Sequence, residues 1–146
     1  MIDLDHLRQW IGRTETRSEL LTPAVVDRFN ATFDIEAEAT DGDIAPAMIH
    51  LCLAPTSALG PDGHPARGGF LPPVPLPRRM WAGGDFSFRG DIRVGETVCR
   101  HSTITDVTMK QGRSGALCFV TVEHRISSDD RPVLTERQDI VYRGAD

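Results

Sequence analysis

The sequence predicts one α+β domain, with helices first and an antiparallel sheet after them. Three observations predict it. Apolar residues recur at three- to four-residue spacing only in the first quarter of the chain. From Asp85 onward, β-branched and aromatic residues alternate with polar ones in runs divided by Gly-, Ser- and Asp-rich turns. The 146 residues fit a single core, which at that size buries roughly two thirds of the surface of the unfolded chain.

Leu4, Leu7, Trp10 and Ile11 form the stripe of a short first helix, with Asp3 or Asp5 near its start and Gly12 after its last turn. The stretch "ETRSELL" reads as extended or irregular. Thr22-Pro23 then supplies an N-cap and a first-turn proline, whose missing N–H costs nothing there. Val25, Val26, Phe29 and Phe33 give the second helix its apolar face, ending near Asp34. The burst "AMIHLCLA" has room for one or two helical turns.

Seven of the ten prolines lie between Pro55 and Pro77, so this stretch is neither long helix nor central strand. Residues 55–84 are expected to form one ordered Pro/Gly-rich loop. Phe70, Leu71, Val74, Leu76, Met80 and Trp81 give it more large apolar side chains than a disordered linker carries. After it come "DFSFRGDI", a long run turning at Gly95, a hairpin closed by "GRSG", the strand "ALCFVTVEHRIS", the turn "SSDDRP" and "VLTERQDIVYR". Cys118, Val120, Val122, His124 and Ile126 share one face of their strand. Four consecutive strands joined by short turns predict a meander.

The net charge is −5, with sixteen Lys and Arg against twenty-one Asp and Glu. That balance argues against nucleic acid, whose phosphates need clustered cations. The three cysteines form no C-x-x-C pair and have no His at ligand spacing, which predicts reduced thiols and no metal. No apolar run approaches the ~18 residues of a membrane span, and the N-terminus is too acidic for a signal peptide. The expectation is a cytoplasmic protein that does not bind membranes. Phosphate-loop, dinucleotide-fold, nucleophile-elbow and H-E-x-x-H patterns are all missing, so no cofactor is implied.

The strings "LGPDGHPARGGFLPPVPLPRRMWAGG", "VGETV", "GRSGALCFVTVEHRI" and "LTERQDIVYR", together with "WIGRTETRSELLTPAVVDRF", resemble the N-terminal half of two-domain MaoC-like, or type 2, hydroxyacyl-thioester dehydratases. Mesaconyl-CoA and itaconyl-CoA hydratases belong to that group. The resemblance covers nearly the whole chain. It implies a hotdog fold, in which an antiparallel sheet wraps a central helical segment and two such units pair around an acyl-thioester tunnel. It further implies a hydro-lyase acting on CoA or carrier-protein thioesters, with a second hotdog as homo- or heterodimeric partner.

Hydration of an enoyl thioester needs an acid/base pair and donors to the enolate oxygen. In the family the pair is an Asp and a His on a string resembling G-D-x-N-P-x-H, placed in the second hotdog. Here Gly42-Asp43-Ile44-Ala45-Pro46 is followed by His50, two residues late, and Ala45 replaces the Asn. Asp43 and His50 are therefore weak catalytic candidates, and the resemblance puts the working pair in a partner. Substrate binding is assigned to Gly68, Gly69, Phe70, Arg78, Arg79, Trp81, Gly83 and Gly84. Glycines permit close approach, prolines hold the rim extended, and a guanidinium matches a CoA phosphate or an acyl carboxylate. His64 is expected exposed in a turn, His6 on a helix surface, and His101 and His124 as hydrogen-bonded sheet residues. A non-catalytic acyl-thioester binding module and a hotdog thioesterase are the rival readings, since one fold hosts several chemistries.

Overall fold

The computed structural model describes residues 1–54 and 59–145. Helix α1 (Leu4–Arg8) leads into β1 (Thr14–Leu20), α2 (Pro23–Thr32), a 3-10 turn (Ile49–Cys52), and then β2 (Arg78–Phe88), β3 (Thr97–Gly112), β4 (Gly115–Ser128) and β5 (Arg131–Arg143). All the strand pairs are antiparallel, in the order β1-β3-β4-β5-β2.

Local chemistry sets the two hairpins. Gly112 pairs with Gly115 across Arg113-Ser114, and Gly115 takes φ +123°. Between β4 and β5, Asp129 and Asp130 both take positive φ, 46° and 62°, as a turn that follows the right-handed strand twist demands. The Asp129 carboxylate accepts the Thr97 N–H at 2.9 Å, tying that turn to the start of β3.

The four-strand meander expected from the sequence is corrected here: only β3, β4 and β5 follow one another. β2 does not pair with β3 but lies along the far edge of β5, and β1 occupies the edge beside β3. Residues 89–96 carry the chain across the end of the sheet. They are held there by the Val133 carbonyl, which accepts the N–H groups of Arg89 and Gly90, and by Arg131, which grips Glu96 and the Asp91 carbonyl.

Other boundaries also move. The loop expected over 55–84 gives way to strand at Arg78; its residues 55–58 lie outside the described residues. α1 ends at Arg8, so Trp10 and Ile11 fall in the turn after it. α2 ends at Thr32, and Thr22 caps it without a side-chain hydrogen bond. The central helical segment is a single 3-10 turn, entered through Met48 at φ 74°.

One face of the sheet is covered, in two separate apolar pieces. Leu21, Val26, Ile49, Leu53, Val98, Ile126 and Leu134 close one end beneath α2 and the 3-10 turn. Leu7, Leu71, Val74, Ile104, Val107, Val120 and Tyr142 close the other end beneath α1 and the prolyl segment. A bulge between Ile104 and Asp106 shifts the alternation so that Ile104 and Val107 both point inward. Between the two pieces the inward-facing positions turn polar.

Candidate functional site

Strand register builds this polar band. Glu15 pairs with Ser102, Ser102 with His124, His124 with Glu136, and Glu136 with Phe86, so one row crosses all five strands on one face. Arg100 and Gln138 flank the row. Buried polar groups are tolerated only when paired, since each unmatched one costs about 1–3 kcal/mol, and most of these are paired. Arg100 donates from Nη2 to Glu15 Oε1 at 3.1 Å and from Nε to Ser102 Oγ at 3.1 Å. Ser102 Oγ lies 2.7 Å from His124 Nδ1, and His124 Nε2 lies 2.9 Å from Gln138 Oε1. Burial, the largest influence, holds the His124 pKa below its ordinary value, favouring the neutral ring.

The 3-10 turn lays His50 over the same row. Its side chain is 3% exposed, its Nε2 stands 3.1 Å from Glu136 Oε1, and its ring meets Phe86 edge-on at 5.6 Å. Nδ1 of His50 is buried without a hydrogen-bond partner among the described residues.

A cleft of about 490 Å³ stands on this floor, within the ~300–1,000 Å³ usual for small-molecule sites. Phe70, Leu71, Val122 and Ile140 line it from below and beside, Met80 and Trp81 from the β2 edge, and His64 to Ala66 from the loop. Arg67 braces that loop: its guanidinium donates to the Val74 carbonyl at 2.8 Å, to the Pro77 carbonyl at 3.0 Å and to the Leu76 carbonyl, and lies 5.2 Å from the centre of the Tyr142 ring. The restricted segment is thus held by a cation as well as by its prolines.

The predicted site residues divide. His50, Phe70, Arg79 and Trp81 line the cleft. Arg79 donates to the Pro65 carbonyl at 2.7 Å and lies 3.9 Å from Asp62. Gly68 takes φ +84° and closes a turn through Leu71, while the Gly69 carbonyl accepts from Trp10 at 3.1 Å and Arg13 at 2.7 Å; both anchor the rim from outside the cleft lining. Arg78 is exposed at the start of β2, opposite Arg143. Gly83 follows the β2 irregularity, and a Cβ on Gly84 would come within 2.7 Å of the Arg137 carbonyl and 3.3 Å of the Trp81 indole. Gly84 is therefore needed for β2 to approach β5 this closely, and it leaves room for the Trp81 indole beside it.

Asp43 is not brought to His50. It is exposed and accepts from the Thr40 N–H at 3.0 Å and hydroxyl at 2.9 Å; the backbone bond leads in lowering its pKa. His50 faces Glu136 instead. His124 is the hydrogen-bonded sheet histidine expected of it, but its place in a cleft floor with Glu136, Ser102 and Arg100 was missed, although a signal exists. The inward positions of three strands run Val98-Arg100-Ser102-Ile104, Val122-His124-Ile126 and Leu134-Glu136-Gln138-Ile140, each interrupted by polar residues at its middle.

These features define a hotdog: an antiparallel sheet laid over a central segment, with a cleft between them. The sequence profile of type 2 hydroxyacyl-thioester dehydratases matches residues 48–146, and the chain belongs to that family. It is 42% identical over 139 residues to the mesaconyl-C(4)-CoA hydratase of Chloroflexus aurantiacus, an alignment that takes in 92% of this chain and 50% of that protein. The chain thus spans half the length of this curated relative. Among solved structures, the ChsH1-ChsH2 complex of Mycobacterium tuberculosis superposes with TM-score 0.69 at 13% identity, covering 96% of this chain and 88% of the other. The MaoC-like dehydratase of Rhodospirillum rubrum gives 0.58 at 14% identity, covering 93% and 94%.

Proposed function

We propose that this chain is a hotdog subunit of an enoyl-thioester hydratase or 3-hydroxyacyl-thioester dehydratase, to which it contributes the acyl-binding cleft. The observation that carries this reading is the 490 Å³ cleft, with apolar walls and a polar floor built into the sheet, in a chain of this family. Phe70, Trp81 and Ile140 wall the acyl group. Arg79, at the loop side, meets a CoA phosphate or an acyl carboxylate; Arg78, exposed at the strand start, extends the same positive rim. The ligand is a CoA or carrier-protein thioester.

Water addition to the β-carbon, and protonation of the α-carbon, fall in this reading to an Asp/His pair in a second hotdog; the bonds of exposed Asp43 to Thr40 and of buried His50 to Glu136 support that reading. The partner is a homo- or heterodimeric hotdog; the relative's doubled length and the two-protein complex among the structural neighbours support it. Its place is the cytoplasm, a compartment that suits three unpaired cysteines.

The test is an assay of the purified chain with crotonyl-CoA and mesaconyl-C4-CoA, following loss of the conjugated thioester, with a thiol-reactive dye in parallel. Slow hydration by the chain alone, rising at least tenfold when a second hotdog carrying G-D-x-N-P-x-H is added, is the expected result. Thiol release in place of hydration, or no turnover under any pairing, would sink the proposal.

A further inference from the structure

Resting on the acyl-thioester reading of the cleft, we propose that Arg13 and Trp10 set the length of acyl chain that the cleft admits, by pinning the turn that carries Phe70. That wall is a turn and not a strand. Gly68 takes φ +84° and donates its N–H to the Leu71 carbonyl at 2.8 Å, so residues 68–71 fold back on themselves. Phe70 and Leu71 line the cleft from this turn, and Gly69 forms its tip.

Packing does not hold the tip. Gly69 is exposed, and a Cβ built on it would meet nothing within 4 Å. Its carbonyl does the holding. That oxygen has two lone pairs and two donors: the Trp10 indole N–H at 3.1 Å and the Arg13 guanidinium at 2.7 Å. The guanidinium also lies over the Trp10 ring, 4.6 Å from its centre, so each donor steadies the other.

Both donors are referred back to the sheet. The Gly12 N–H donates to the Ile104 carbonyl at 2.8 Å, and the Arg13 carbonyl accepts from the Ile104 N–H at 3.0 Å. Ile104 is fully buried in β3. The spacing between the Phe70 wall and the sheet is thus carried through one carbonyl. Arg67 fixes the chain only beyond the turn, at Val74, Leu76 and Pro77. Without the clamp the turn gives way to a longer acyl chain, because surface segments with few packed contacts open at little cost.

The test titrates butyryl- and octanoyl-CoA calorimetrically into the whole chain and follows the ratio of octanoyl to butyryl affinity. Each further methylene under apolar cover gains about fourfold, so a wall that yields by two methylenes raises the ratio more than about tenfold. Arg13→Met should raise it at least about fivefold, and Trp10→Phe, which removes only the indole N–H, at least about threefold; should one variant not fold, the other decides. Arg8→Met is the control. Arg8 ties α1 to the Val107 carbonyl without touching Gly69, so its loss should lower stability and leave the ratio unchanged. Smaller changes in the clamp variants, or an equal change in Arg8→Met, overturn the inference alone. Failure of the unmodified chain to bind either thioester overturns the thioester reading and this inference with it.

Discussion

Glu96 shows how much one side chain holds in this fold. Its carboxylate accepts from both Arg131 Nη groups, at 2.8 and 3.1 Å, from the Ser128 hydroxyl at 3.1 Å and from the Arg93 N–H at 2.8 Å. Led by the Arg131 hydrogen bonds, these partners lower its pKa from 4.5 to about 2. A depressed carboxyl pKa means stability that is present above the unfolded value and lost as pH falls through the folded one. Glu96→Gln should therefore cost about 1 kcal/mol at pH 7, a figure set low because Arg131 is half exposed. The difference should fade between pH 4.5 and 2, as urea unfolding across that range will show. At the same scale, Asp43 and His50 look paired in the sequence because a familiar string nearly contains both. What separates them is local: the Thr40 bonds hold Asp43 outside, and the left-handed backbone at Met48 sends His50 inward.

At the scale of elements, the hairpins were legible because turn chemistry is written in adjacent residues. The Asp129-Asp130 turn puts two L-residues in the left-handed region, where glycine is at home. Asp129 is repaid through its bond to the Thr97 N–H, but none of the hydrogen bonds described here involves the Asp130 side chain. Asp130→Gly should raise stability by about 0.5–1 kcal/mol, seen as a higher urea midpoint with unchanged slope. The place of β2 was not legible. Its alternation of Phe86 and Phe88 fits any antiparallel neighbour, and only the crossover pinned by Val133 and Arg131 sends it to β5 rather than β3. The loop end was misjudged for a related reason: the glycines at 83 and 84 look like loop, yet here Gly84 lets β2 lie close against the Arg137 carbonyl of β5.

Across the whole molecule, the α+β class followed from periodicity, and the hotdog from resemblance. The polar row between two apolar pieces did not, because it exists only when three strands are set in register. Read one strand at a time, Ser102, His124 and Glu136 are three unconnected polar residues; side by side they become a cleft floor.

That register also governs the order of events by which the chain condenses. β3, β4 and β5 meet through tight hairpins, whereas β1 and β2 must each find partners far along the chain, and distant closure is entropically slow. The nucleus should thus contain the floor before either wall arrives. Val120→Ala, at the buried centre of β4, should chiefly slow refolding, while Phe86→Leu in β2 should chiefly hasten unfolding, a contrast that stopped-flow chevrons will resolve. If both mutations act on the same limb, the edge strands are already docked at the barrier. If they act on different limbs, the cleft is a late acquisition of the folding chain, formed when β2 and the prolyl segment close over a sheet that has already formed.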